Sequence, residues 1–358
     1  MTNYSYITDQ RTLHTACEEI KKSNEVAFDI ECENNLHHYG SYISLIQAST
    51  RSRNYILDVL ELKDIHPFLN ILENPNIQKV LHDVSFDLRI LEHQFKCQPK
   101  NIFDTQVAAL FLGKKELGLG PLLSHYFGMK KESKFQMADW TKRPIRPDML
   151  EYATKDTVYL LRLKDILKEE LVKKGRLSWV EEEFRIIESH KFEYSEGDYL
   201  NMKGVRQLSN SERGVLRRLF MVRDEIAKKV NRPTFYVMSN KMMLDIVHNP
   251  PKSVNEWRNM KGVHPVVRLK AEKFFDAIEK GKKEKVMIDI PKRRRYTPEQ
   301  QDQLRRLADI RDALSEELKL PKHIVFNKDQ IQEIVLNHNM TCLRSWQRAL
   351  IEKRIRLK

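Results

Sequence analysis

The chain has 358 residues, 41% of them apolar, and a net charge of +13, so it is long enough for two or three domains with cores of their own. It has no run of the ~18 uncharged apolar residues that a membrane span needs. The four cysteines (Cys17, Cys32, Cys97, Cys342) are far apart with no C-x-x-C pair, which supports neither a zinc site nor a disulfide framework and fits a reducing cytosol.

The first residues, Met1 to Tyr6, have neither a basic leader nor an apolar run, so no secretory signal is expected. Residues 1 to about 175 then mix periods of two and 3.6. Val26 to Cys32, Ile43 to Ala48 and Asn54 to Asp58 alternate as strands, with Lys79 to His82 as a fourth. Helical patterns follow at 84–96, 104–112, 120–127 and 147–174, the last opening at Pro147 and stopping at Gly175. This predicts an α/β domain with a mixed sheet over 1–175. A helical connector follows over 176–207, and from 208 onward only helical patterns appear.

That second half contains a repeat. Leu216 to Asp224 recurs as Leu304 to Asp312 at an offset of 88, and Pro233, Val237, Ile246 and Val247 match Pro321, Val325, Ile334 and Val335 at the same offset. The spacing predicts two small helical domains, over 208–289 and 297–358, with the basic stretch 290–296 as a linker. The second copy opens with a capping box, Thr297 with Gln300, and Pro298 at its first helical position. It is shorter and more divergent. Charge is uneven too: residues 201–358 hold 36 Lys and Arg against 19 Asp and Glu, or +17, while 1–200 sum to −4. A basic half beside a slightly acidic one suggests contact with a polyanion, the plain alternative being solubility.

Four acids stand out. Asp29 and Glu31 lie two apart on a strand, hence on one face, with Phe28 and Ile30 pointing the other way. Two acids side by side resist desolvation unless a cation sits between them; otherwise they mark a solvated strand end. Asp87 falls in the first turns of a helix, where an acid also suits the dipole and capping is an alternative. Tyr152 and Asp156 are four apart, one turn on a helix face, with a plain hydrogen bond as the alternative. Together they offer four hard oxygen ligands suited to Mg²⁺ or Mn²⁺. Two such ions ~3.5–4 Å apart clamp the attacking and leaving oxygens of a phosphodiester.

The set resembles the DEDD exonuclease superfamily, in the DEDDy branch marked by the tyrosine. Phe28-Asp-Ile-Glu31 looks like its first motif, His82 to Asp87 its second, and Tyr152-x-x-x-Asp156 its third. Ile102 to Ala109 and Gln136 to Pro144 resemble ribonuclease D in particular, and the repeated helical unit resembles the helicase-and-ribonuclease-D C-terminal (HRDC) domain. The resemblance implies an α/β ribonuclease H-like exonuclease domain with a mixed sheet, followed by two small all-α HRDC-like domains. It implies a 3′→5′ exoribonuclease that releases 5′-monophosphates from precursor tRNA and other small RNAs with single-stranded 3′ ends. It also implies roles: Asp29 bridging two divalent metal ions (Mg²⁺ or Mn²⁺), Glu31 and Asp156 holding the one on the attacking side, and Asp87 completing the other through water. Tyr152, with an ordinary pKa of ~10, would orient the water rather than act as base.

Weaker candidates surround these. Gln47 is placed to touch the terminal nucleotide, and Trp140 to stack on a base or anchor its loop. His82 is a substrate-side residue or a satisfied hinge histidine, and Asp104 a helix cap. Arg217, Arg218, Lys228 and Lys229, off the apolar stripe of Leu216, Leu219, Ile226 and Val230, are candidates for the RNA backbone, or a solvated face. A monomer in the cytoplasm is expected. The rival readings are a DNA exonuclease of proofreading type and a catalytically silent RNA-binding scaffold. A nucleotide-binding regulator is disfavoured because no G-x-x-x-x-G-K-[ST] loop exists.

Overall fold

The computed structural model describes residues 3–130, 133–190, 199–288 and 294–356. Six strands form one sheet: β1 (Ser5–Ile7), β2 (Glu25–Asn34), β3 (Ser41–Ser49), β4 (Asn54–Asp58), β5 (Gln78–Leu81) and β6 (Ile102–Asp104). Their order is β1-β4-β3-β2-β5-β6. β2, β3 and β4 form an antiparallel meander, and β1, β5 and β6 join in parallel, so the sheet is mixed as expected. The central strands follow the period-two pattern. Val26, Phe28 and Ile30 enter one core with helices α1 (Gln10–Ile20), α2 (His66–Glu73) and α3 (Ser85–Phe95). Ala27, on the other face, packs with α4 (Thr105–Phe111) and α5 (Leu119–Phe127). Asp29 and Glu31 share that second face.

The stretch 147–174 is two helices rather than one: α6 (Pro147–Thr154) and α7 (Leu160–Lys173), separated by a turn over 155–159. Side-chain hydroxyls break it. Thr154 Oγ1 donates back to Leu150 O at 2.8 Å, a bond that bends helices, and Thr157 Oγ1 meets Ser49 Oγ at 2.6 Å in the interior. The turn is thereby drawn onto β3, and Asp156 sits in it instead of on a helix face.

The segment expected as a connector begins with α8 (Leu177–Ser189), which packs on the exonuclease-like domain through Phe184 and Phe103, 5.1 Å apart. The first helical unit comprises α9 (Asn210–Val230), α10 (Thr234–Val237), α11 (Asn240–His248), α12 (Val254–Arg258), α13 (Pro265–Leu269) and α14 (Ala271–Lys282). The second comprises α15 (Pro298–Leu318), α16 (Lys322–Val325), α17 (Lys328–Asn337) and α18 (Ser345–Arg356). The first three helices of each unit start 88 residues apart, and the two long ones both open with a capping box, Ser209 with Glu212 and Thr297 with Gln300. Residues 290–293 of the basic stretch lie outside the described residues.

The units sit differently on the sheet domain. The first has its own core around Trp257 and Phe274, and it touches the sheet domain where Tyr39 OH donates to Asp224 Oδ2 at 2.9 Å. The second shares a core with the sheet domain: Trp346 stacks on Trp179 at 4.9 Å and meets Phe111 edge-on at 5.5 Å. Among the described residues no helix is long and apolar enough to cross a membrane.

Candidate active site

The site lies where the acids of β2 meet the C-terminal end of α6 and the turn that follows it. Asp29, Glu31, Tyr152 and Asp156 line one pocket of 410 Å³, together with Leu119, Gly120 and Pro121 of α5 and with Ser133 and Gln136. Carboxylate oxygens of Asp29, Glu31 and Asp156 lie within 4.8 Å of one another. An octahedral Mg²⁺ or Mn²⁺ with metal–oxygen distances of ~2.1 Å puts its ligand oxygens ~3–4 Å apart, so the trio fits a hard divalent cation with little adjustment. Asp156 is 5% exposed and its Oδ1 is wholly shielded, a poor place for a carboxylate beside two others without a cation.

Asp87 stands in the first turn of α3, 7% exposed and outside that trio. Its carboxyl is pushed well above the ordinary range, by burial first and then by the charges of Asp29, Asp104 and Asp83. The same field acts on Cys32, whose thiol is pushed up to about 12 by burial and then by Asp87, Glu31, Glu33 and Asp29. Asp29, Glu31, Glu33 and Asp87 thus act together around Cys32. Asp104 caps α4, accepting from Gln106 N and Val107 N at 2.7 and 3.3 Å, and also accepts from Asp83 N and Val84 N at 3.1 and 2.9 Å. It therefore shapes the turn that delivers Asp87.

Tyr152 is held between aromatic neighbours, Phe135 edge-on at 5.5 Å and Trp140 at 6.2 Å. The loop carrying Gln136 and Trp140 is pinned from several sides. A register shift after Glu31 leaves Ser44 as the extra residue on β3, and its Oγ donates to Trp140 O at 2.6 Å. Arg143 donates to Trp140 O at 2.7 Å and grips the fully buried Asp58 with two bonds of 2.7 and 2.6 Å. Tyr6 OH also donates to Asp58. A second group, Glu33, His38 and Asp139, also brings its ligand atoms within 4.8 Å. Its atoms are engaged in two loops: Glu33 accepts from Leu36 N and His37 N in the turn between β2 and β3, and Asp139 accepts from Thr141 within its own loop and from His38.

Gln47 departs from the sequence expectation, while Trp140 and His82 take the structural alternative open to each. Gln47 is 0% exposed and Trp140 3%, so neither offers a face to a nucleotide. Trp140 is the loop's anchor. His82 bonds Thr105 Oγ1 at 2.9 Å, and that hydroxyl donates to Leu81 O, so His82 ties β5 to α4. Arg218 is paired with Glu284, and Arg217 lies 3.6 Å from the same carboxylate, which cancels part of their charge. Lys228 and Lys229 are exposed in the last turn of α9, and Val230, expected in the apolar stripe, is 37% exposed. Sequence reasoning missed Gln136 as a pocket residue, although it opens a stretch singled out by resemblance, and the pairing of Asp58 with Arg143, 85 residues apart, left no local signal.

Residues 4–172 match the 3′-5′ exonuclease family and residues 212–278 the HRDC domain family. The chain thus carries a 3′-5′ exonuclease domain, a hydrolase fold, followed by an HRDC domain. The chain is similar along most of its length to the ribonuclease D of Haemophilus influenzae, which is 27% identical over 341 residues, 93% of this chain and 85% of that protein. The exosome complex exonuclease RRP6 of Saccharomyces cerevisiae is 28% identical over 267 residues, 70% of this chain. The chain spans about a third of the length of the RRP6-type relatives it matches. In fold it is similar to the crystal structure of Escherichia coli RNase D, with a TM-score of 0.75 at 22% identity, covering 99% of this chain and 98% of that one.

Proposed function

We propose that the protein is a 3′→5′ exoribonuclease that uses two divalent ions, Mg²⁺ or Mn²⁺, to shorten RNA one nucleotide at a time. The carrying observation is the Asp29, Glu31 and Asp156 trio in one pocket with Tyr152 at its wall and the buried Asp87 behind it. Asp29 would be shared between the ions, with Glu31 and Asp156 on one side and Asp87 on the other. Bound there, the ions supply charge against the developing negative charge of the phosphodiester and make water a nucleophile near neutral pH. Tyr152 directs that water through its hydroxyl, and the aromatic packing around its ring fixes the direction. Gln136 and Ser133 line the same pocket, where the terminal nucleotide would be held.

Tyr152→Phe keeps the packing and loses the hydroxyl. It is expected to lower kcat by ~10²-fold, the scale of a single positioned hydrogen bond or proton transfer, and to leave RNA affinity nearly unchanged. Single-turnover rates together with RNA binding in Ca²⁺ check this; a large loss of binding would assign Tyr152 to structure instead. Oligomers of one sequence in RNA and DNA form separate the ribonuclease reading from the proofreading-type DNA exonuclease.

Lys228 and Lys229 lie in the last turn of α9, near the sheet domain, since its cap Asn231 bonds Tyr39 N and His38. The exposed rings of Phe235 and Tyr236, with Arg232 5.5 Å over the latter, add stacking surfaces beside them. RNA with a single-stranded 3′ end, including precursor tRNA, is the substrate class this arrangement would serve. Changing both lysines to Ala is expected to lower RNA affinity across sequences and to reduce the slope of log affinity against log salt by about 1–2. An unchanged salt slope in filter binding would remove this face from RNA contact. The second HRDC-like unit, over 297–358, is assigned a structural part, with its core shared with the exonuclease domain. The chain is proposed to act as a cytosolic monomer, with the units divided near 175, 207 and 290.

A further inference from the structure

Gln47 sits at the centre of the sheet, on β3. Its register partners are Asp29 on β2 and Ile56 on β4, and residues opposite one another project from the same face. It is 0% exposed, and among the described residues neither its amide nitrogen nor its amide oxygen has a hydrogen-bond partner. A buried amide left unsatisfied is costly, whereas Met or Leu would fill the same space at no such cost. The polar side chain must meet something in another state of the site.

Its neighbours on this face narrow the choice. Along β3 they are Leu45 and Ser49, and across the ladder Ile56 and Asp29. Leu45 and Ile56 are apolar and belong to the cluster beneath α6. The Ser49 hydroxyl is committed to Thr157 at 2.6 Å. Among these ladder neighbours Asp29 is the remaining polar one, and opposed Cβ atoms lie only ~4.5–5.5 Å apart, within reach of a glutamine amide.

We infer that Gln47 is a positioning residue for the metal centre, its amide N–H bracing the Asp29 carboxylate from the sheet side when divalent ions are bound. Ligating carboxylates are themselves oriented by hydrogen bonds from behind, and loss of such a partner typically weakens metal affinity ~10–100-fold. Gln47 touches neither substrate nor solvent. Its effect passes through Asp29, so the inference rests on reading Asp29 as a metal ligand.

The test is Gln47→Met in the full chain, with Mn²⁺ binding measured by calorimetry or electron paramagnetic resonance and thermal unfolding followed without metal. Two changes of opposite sign are expected. Mn²⁺ affinity falls by ~10-fold or more, while the metal-free unfolding midpoint rises by ~2–4 °C because a buried unsatisfied amide is gone. A role in packing alone would lower the midpoint and leave Mn²⁺ affinity in place. Gln47→Asn keeps the amide but shortens it, so it should lose Mn²⁺ affinity without gaining stability. Mn²⁺ affinity within twofold of wild type in both variants overturns the inference and leaves the metal reading of Asp29 standing. Failure of the wild-type chain to bind Mn²⁺ removes both.

Discussion

Asp29→Asn is expected to abolish turnover, with a loss of ~10²–10⁴-fold, while the protein stays folded. The size follows from what the residue is asked to supply: a shared carboxylate ligand is worth several kcal/mol of transition-state stabilisation, and each ~1.4 kcal/mol is a factor of ten. Asparagine keeps the shape and offers one neutral oxygen, so the strand pairing of β2 should survive. It also removes one charge from a crowded group, and Asp87, whose carboxyl is raised partly by Asp29, should return toward the ordinary carboxylate range. The sign for stability follows. An acid whose pKa is raised on folding binds more protons folded than unfolded, so its contribution is lost as pH rises above the unfolded value of ~3.9. With Asp29 neutral, that loss shrinks, and the metal-free variant should unfold at a higher temperature than wild type at neutral pH. Calorimetry at pH 7 without metal, paired with single-turnover rates in Mn²⁺, reads both effects. A variant within tenfold of wild-type rate would remove Asp29 from the metal centre.

Arg143→Ala carries the second large effect, and it acts on folding. Asp58 is fully buried at the end of β4, and its two bonds from Arg143 join the sheet to the loop that holds Trp140. Removing the guanidinium leaves a buried carboxylate with Tyr6 and the backbone N–H of Leu60 and Glu61 as its remaining partners. Breaking one half of a buried pair typically costs ~3–5 kcal/mol. The loop also loses its grip on Trp140 O, and with it the seat of Tyr152 and the wall formed by Gln136. Activity should therefore fall even at temperatures where the variant is folded. A double change, Asp58→Asn with Arg143→Met, takes away the stranded charge and should recover part of the stability but not the loop's position. Denaturant midpoints of the single and double variants check the account; equal destabilisation by both would mean the pair's charge is not the issue.

How legible was this in the sequence? Asp29 and Glu31 were readable because a central strand imposes a period of two, and Phe28 and Ile30 do enter the opposite core. Asp87 was readable as an early helical acid, and Tyr152 with Asp156 as a spaced pair. The break between α6 and α7 was not, since it depends on Thr157 meeting Ser49, 108 residues away. Strands β1 and β6 are three residues each, too short to display alternation. The repeat at offset 88 was plain, yet what its copies do was not. The pairing of Arg218 with Glu284 and the docking of Trp346 on Trp179 are contacts between residues far apart in the chain, to which local pattern is blind. Gln47 illustrates the same limit: its type suggested contact with a nucleotide, and only the packing revealed that it is interior, whereas for Trp140 the loop-anchor reading was already open in the sequence.

Metal-dependent removal of single nucleotides from an RNA 3′ end is read out on a 5′-labelled RNA with an unpaired 3′ tail. It is incubated with the full chain and Mg²⁺ or Mn²⁺, and products are resolved at one-nucleotide steps. The expected result is a ladder that shortens from the 3′ end, with release of 5′-monophosphates, and that stops when EDTA is added. Internal cleavage, or an intact tail with either ion, would contradict it.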